Sequence, residues 1–293
     1  MQTTTQNTVI EEARKRVRNV ISQQANKKET LILLKLKYRE LLESGKKLPA
    51  FDDVEFRSLS MAGEDGILWY LFSLIGTTNK ITVEACAGDG IECNSSNLIL
   101  NDGWTGLLLE GDEYKSEIGK QFYNIHPDSR AWPPVVKKAW ITAENVNDLI
   151  KDASIEGEID LFILDIDGND YWVWKALNII SPRVVLLEAQ DILGPTRSCT
   201  IPYEPNFTKQ NLGDISGEYI GASLAAFTKL GKEKGYRLVG CQRYGFNLFF
   251  LRNDIAPEIF PEISVESCLT HPKVIKGYKT RYPKIKDMPW VDV

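Results

Sequence analysis

Short apolar runs alternate with longer amphipathic stretches along most of this chain. Residues 7–45 carry apolar positions at helical spacing among charges, in "IEEARKRVRNVISQQ" and "TLILLKLKYRELLESG". They predict helices, with Gly45 as a stop. "GEDGILWYLFSLIG", residues 63–76, predicts a further helix closed by Gly76. Beyond it the period changes. Apolar runs of strand length lie at 81–86, 106–110, 159–165, 183–188, 236–240 and 246–251, with a weaker one at 135–140. Segments of helical length and pattern separate most of them, at 93–101, 112–123, 144–152, 170–179 and 221–235. Strand alternating with helix predicts an α/β fold: a mostly parallel sheet with helices on both faces. A short link joins the last two runs as a hairpin, which predicts one antiparallel strand at the sheet edge.

Two stretches break the rhythm. Residues 189–220 form a long polar connection rich in Pro, Gly, Thr and Asn, the kind that serves as a functional lid or stays disordered. Residues 254–293 form a Pro- and Lys-rich tail anchored by Tyr278, Tyr282 and Trp290. This divides the chain into an N-terminal helical extension at 1–56, a main domain at 57–253 that includes the lid, and a C-terminal tail at 254–293 that packs on the domain. The helical extension and the tail are also candidate surfaces for a homo-oligomer.

Composition narrows the classes. The 293 residues carry a formal net charge of −5 and no dominant basic stretch, so nucleic acid is not the expected partner. No apolar run approaches the roughly 20 residues that span a bilayer, and the N-terminus lacks the apolar core of a secretory signal. The five cysteines are widely spaced, and His126 and His271 are the only histidines. Neither a zinc site nor a disulfide framework fits; free thiols in the cytoplasm do. The two histidines remain spare candidates for a base.

"ITVEACAGDGIECNSSNLIL" reads as strand, turn, helix. Gly88 and Gly90 let backbone N–H groups approach a ligand, and the helix beyond Asn94 points its positive end at it. The expected ligand is a nucleotide-like cofactor at the carboxyl edge of the sheet. A dinucleotide site wants a third glycine where this chain has Cys93. An S-adenosylmethionine site reads acidic-x-x-x-G-x-G, which Glu84 to Gly90 match, and Glu84 would sit near the cofactor's amino-acid portion. Glu110 ends the next strand, roughly 20 residues past the glycines, where an acidic side chain meets ribose hydroxyls.

"LFILDIDGNDYWVWKAL", residues 161–177, ends an apolar run in Asp165, Asp167 and Asp170. Asp165 and Asp167 share a side if the extended geometry continues. Glu188 and Gln190 end another strand at the same edge. Carboxylates gathered there need a divalent cation such as Mg²⁺, or else one keeps its proton at a raised pKa. The pattern is not a calcium loop, since Ala176 stands where the last ligand belongs. Asn169 or Asp170 is expected to cap the helix that follows. Trp104, Trp172 and Trp174 read as packing rather than as sugar platforms.

"GEDGIL", "VEACAGDGIECNSSNLILNDGWTGLLLEGD", "DIDGNDYWVWKAL", "SPRVVLLE" and "GASLAAFTKLGKEKGYRLVG…GFNLFFLR" together resemble the FkbM-type S-adenosylmethionine-dependent methyltransferases, over residues of about 57 to 252. The resemblance implies a Rossmann-like seven-stranded sheet and methyl transfer, commonly to a hydroxyl of a sugar or natural product. It implies that Glu84, Gly88, Gly90, Asn94, Glu110 and Asp165 bind S-adenosylmethionine. Related metal-dependent enzymes imply Asp165, Glu188 and Gln190 as Mg²⁺ ligands and Asp167 as general base. Their fifth-strand position tends to be Asp-Asp, and Glu188-Ala189-Gln190 departs from it. Arg197, Tyr203 and Asn206 in the lid are expected to contact the acceptor. An NAD-dependent oxidoreductase and a non-catalytic binding protein of the same fold are the competing readings.

Overall fold

A computed structural model describes residues 2–23 and 28–293. The helical reading of 7–45 falls partly on residues 24–27, outside the described residues. The chain forms two compact units, Met1–Trp140 and Ile141–Val293.

The first unit runs α1 (Gln2–Gln23), α2 (Lys28–Glu43), α3 (Phe51–Val54), α4 (Glu64–Ile75), β1 (Ile81–Ala85), α5 (Ser96–Asp102), β2 (Thr105–Glu110), α6 (Glu113–Ile125) and β3 (Val135–Lys138). β1 pairs with β2 and β2 with β3, both in parallel. Leu107, Leu108 and Leu109 of β2 are fully buried, as an unbroken apolar run covered on both faces requires. Trp104 is buried against Phe72, ring centroids 4.6 Å apart. Asp112 starts α6 by accepting from the Lys115 N–H. α1 lies on α6 and α2 on α4; Trp69 Nε1 of α4 donates to Leu31 O of α2 at 3.0 Å.

The second unit runs α7 (Val146–Lys151), β4 (Gly157–Leu164), α8 (Asp170–Ala176), β5 (Ile180–Glu188), β6 (Cys199–Thr200), α9 (Leu224–Glu233), β7 (Tyr236–Cys241), β8 (Asn247–Arg252), α10 (Val265–Cys268), α11 (Pro272–Thr280) and β9 (Val291–Asp292). β4 and β5 are parallel, and β8 is antiparallel to both β5 and β7. The seven-stranded sheet has the order β3-β2-β1-β4-β5-β8-β7, the mostly parallel Rossmann-like architecture that the strand–helix alternation predicts.

One detail of topology differs from expectation. The antiparallel strand is β8, and it lies inside the sheet; β7 forms the edge. The reason is visible in the side chains. Leu248, Phe249, Phe250 and Leu251 are all fully buried, so β8 needs a neighbour on each side and cover on each face. Hairpin connectivity alone does not say which of two strands goes outside.

The tail builds a small second core with the lid. β9 pairs antiparallel with β6. Ile192, Leu193, Cys199, Ile201, Tyr219 and Ile285 are buried together, with Phe207, Tyr282 and Trp290 packed against them. Trp290 stands edge-on to Tyr219 with centroids 4.9 Å apart, and its Nε1 donates to Ile285 O. All five cysteines are free.

Candidate functional site

In the first unit, the turn after β1 is built from residues in left-handed conformations: Cys86 at φ 68°, Gly88 at 57° and Gly90 at 68°. The two glycines do different jobs. A Cβ on Gly88 would meet only one atom within 4 Å, Glu92 O at 3.9 Å, so open space lies over it. A Cβ on Gly90 would come within 3.0 Å of Gly119 Cα and 3.2 Å of the Tyr123 ring, so Gly90 permits close packing on α6.

Glu84 and Glu110 hold this turn from either side. Glu84 is buried; its carboxylate accepts from Asn94 N at 2.8 Å, from Ser95 N at 2.9 Å and from Ser95 Oγ. Burial pushes its pKa up, and those hydrogen bonds oppose the shift. Glu84 therefore faces the N–H groups at the start of α5, and Asn94 takes part through its backbone. Glu110 accepts from Gly88 N at 2.9 Å through Oε2 and from Asp112 N at 2.8 Å through Oε1. Oε2 also accepts from the Cys86 thiol at 3.8 Å, and Oε1 has a further lone pair for a ligand hydroxyl. At the position where a dinucleotide site wants glycine, Cys93 is buried with Sγ 2.9 Å from Ser96 Oγ. Two residues of this region escaped the sequence reading. Arg16 of α1 reaches Asp89 in the turn at 2.8 Å, and Arg57 reaches Glu92 at 2.6 Å. Both join residues far apart in sequence, so no local signal marks them.

In the second unit, carboxylate oxygens of Asp165, Asp167 and Glu188 lie within 4.8 Å of one another. They meet for a different reason than strand alternation. β4 ends at Leu164 and Asp167 sits at φ 56°, a left-handed turn that carries its side chain back to the cluster. Burial drives the Glu188 pKa well above the carboxylate range, and the charges of Asp165, Asp167 and Asp170 add to it. Contact with Asp165 pushes it in the same direction. Asp170 is buried and accepts from Ile166 N at 2.8 Å and Gly168 N at 2.9 Å. Burial, with Asp165 nearby, pushes its pKa up to about 7. Asn169 takes the N-cap position of α8 without a side-chain cap.

The turn Asp167-Gly168-Asn169 is where the lid lands. Asn169 Nδ2 donates to Glu204 O at 2.7 Å. The Phe207 ring covers Gly168, and a Cβ there would meet Phe207 Cδ1 at 2.4 Å. Lys209 Nζ lies 2.5 Å from Asp167 Oδ1. Just beyond, Trp172 Nε1 donates to Ile201 O at 2.9 Å. Burial works against the Lys209 charge, but Asp167 and the fields of Glu188 and Asp165 outweigh it and raise its pKa. Trp174 is buried core.

The remaining candidates have other neighbours. Gln190 donates its amide to Glu218 O at 2.9 Å. Arg197 lies over the Trp290 ring and donates to Tyr282 Oη at 3.3 Å. Tyr203 donates to Glu144 and accepts from Ala143 N at 3.1 Å. Asn206 is exposed. His271 caps α11, Nδ1 accepting from Lys273 N, and His126 is buried, its pKa lowered by burial. As for Mg²⁺, three carboxylates suit a hard cation in kind, but one of them, Asp167, already carries the Lys209 ammonium. That ammonium competes with the expected metal for the same oxygens.

No family model matches this chain, and no curated protein matches it. Solved structures of similar fold include the mitomycin 7-O-methyltransferase MmcR, at 13% identity and a TM-score of 0.40, covering 64% of this chain and 53% of that one. This chain thus spans about half the length of MmcR. The magnesium protoporphyrin IX methyltransferase ChlM from Synechocystis PCC 6803, seen with bound SAM, aligns at 14% identity and 0.39, covering 64% and 77%. A Staphylococcus aureus protein provisionally named a caffeoyl-CoA O-methyltransferase aligns at 13% identity and 0.44, covering 82% and 98%. The likeness is one of fold. Among the described residues, no helix is long and apolar enough to cross a membrane.

Proposed function

We propose that this chain is an S-adenosylmethionine-dependent methyltransferase that methylates a hydroxyl of a sugar or small natural product. The observation that carries the reading is the tie between Gly88 N–H and the Glu110 carboxylate, with open space over Gly88. It sets an acidic side chain beside an exposed backbone turn, which is what an adenosyl ribose needs. Glu110 would accept the ribose hydroxyl protons. Glu84 would act through the turn, by fixing the start of α5. Buried Cys93 disfavours the dinucleotide reading, because it occupies the position where close helix packing wants glycine.

The cofactor supplies an already activated methyl group, so the protein has two tasks. It must hold the acceptor oxygen in line, and it must take its proton. Asp167 has a side chain that is 30% accessible and stands on the turn beneath the lid, so it is the proposed base. Asp165 and Glu188 would orient the acceptor. No step here is routed through a metal.

Calorimetry with S-adenosylmethionine tests the cofactor. Micromolar binding is expected, with a loss of about tenfold or more for Glu110→Ala. NADH binding in its place would transfer the assignment to an oxidoreductase, and no binding of either would leave a non-catalytic protein. Formation of S-adenosylhomocysteine over a panel of sugars and phenols then tests the acceptor, and Asp167→Asn should lower turnover without weakening cofactor binding.

A further inference from the structure

The acidic cluster poses a question of charge. Three carboxylates lie within 4.8 Å of one another, and proteins hold such groups together either with a bound cation or with retained protons. Here a side chain takes part. Lys209 comes from the lid, some forty residues along the chain from Asp167, and its Nζ stands 2.5 Å from Asp167 Oδ1. That approach is not left to a flexible side chain alone. The backbone leading to it is docked by the Asn169–Glu204 hydrogen bond and by the Phe207 ring on Gly168. Side-chain accessibilities of 37% and 30% make this pair weak by itself, but docking of the flanking residues lowers the entropy of forming it.

We propose that Lys209 is the resident cation of the Asp165–Asp167–Glu188 cluster, that its ammonium makes a divalent metal dispensable there, and that removing it turns the cluster into a metal site. The ammonium carries one positive charge and three donors. A hard divalent ion would have to displace it and break the contact with Asp167, so the wild-type site disfavours the metal by competition. Without Lys209, three carboxylates remain within reach of one another, the oxygen-rich set that Mg²⁺ and Mn²⁺ take. The proposal deepens the methyltransferase reading, in which this cluster handles the acceptor, but its test does not depend on any activity.

The test is titration of the full chain with Mn²⁺ alone, counting free aqua-ion by its electron paramagnetic resonance signal. Wild type, Lys209→Met, Lys209→Gln and the double variant Lys209→Met/Asp165→Asn are compared, with circular dichroism to check that each is folded. The expected result is weak or no saturable binding by wild type. Both single variants should bind one Mn²⁺ at least about tenfold more tightly, and the double variant should lose that gain. Two results would overturn the proposal: wild type binding as tightly as the Lys209 variants, or no gained site in either of them. Separate calorimetry with S-adenosylmethionine reports on the methyltransferase reading, so either idea can fail while the other stands.

Discussion

Asn169 Nδ2 donates to Glu204 O at 2.7 Å, which ties the turn after β4 to a lid segment thirty-five residues away. With Phe207 on Gly168 and Lys209 on Asp167, three consecutive residues of the turn each hold a lid residue. Replacing Asn169 by alanine should cost about 1 kcal/mol of stability. The lid should also be cut faster by trypsin at Lys209. An unchanged cleavage rate in that segment would remove Asn169 as an anchor.

The Gly168–Phe207 contact makes a sharper prediction. Gly168→Ala places a methyl group 2.4 Å from Phe207 Cδ1, so the ring must move. Overpacking of this kind costs about 1–3 kcal/mol. In a Phe207→Ala background the added methyl has room, and the same substitution should cost much less. Urea denaturation of the four members of this cycle measures the coupling. Additive losses would mean that the ring does not press on Gly168 in solution.

Glu84 offers acceptors only, and it faces Asn94 N, Ser95 N and Ser95 Oγ. Glu84→Gln turns one acceptor into a donor aimed at donors. A buried mismatch of this kind should destabilise the protein by about 1–3 kcal/mol. Because the same residue holds the start of α5, cofactor affinity should fall as well. Thermal unfolding and calorimetry on the variant check both, and an unchanged melting temperature would contradict the assigned role.

Asp170 predicts a pH dependence. Burial raises its pKa to about 7 in the folded chain, against an unfolded value of 3.8. Between these values the folded state holds a proton that the unfolded state has released. Stability therefore falls as pH rises from about 4 to 7, by at most about 1.4 kcal/mol per pH unit from this group. Below about 4 both states are protonated and the slope vanishes. Asp170→Asn has no such proton, so the stability advantage of wild type over the variant should shrink as pH rises. Chemical denaturation of both proteins at pH 5, 6, 7 and 8 reads the difference. A constant gap would show that Asp170 does not titrate in this range.

Most of the architecture was legible in the chain because it rests on local periodicity. Runs such as 106–110 and 246–251 become strands with nearly the expected bounds, and the helices between them follow the apolar spacing. The glycine turn and both acidic strand ends could be read as well, since a tight turn demands particular residue types. What a side chain touches was less accessible. Gln190, Arg197 and Tyr203 looked free to meet a ligand, and each has a neighbour within the fold that only the packing of lid and tail supplies.

The order of strands, the left-handed turn at Asp167 and the meeting of Lys209 with that aspartate belong to the tertiary structure alone. Hydrophobic patterning states which face of an element is buried, because burial of apolar area is a property of each segment. It does not state which distant segment lies opposite, since that choice depends on closing long loops and on the fit of whole surfaces. The cluster of Asp165, Asp167 and Glu188 could therefore be expected from sequence as a gathering of acids. That its cation is a lysine from the lid could not, because a lone lysine among polar residues carries no mark of where it will land.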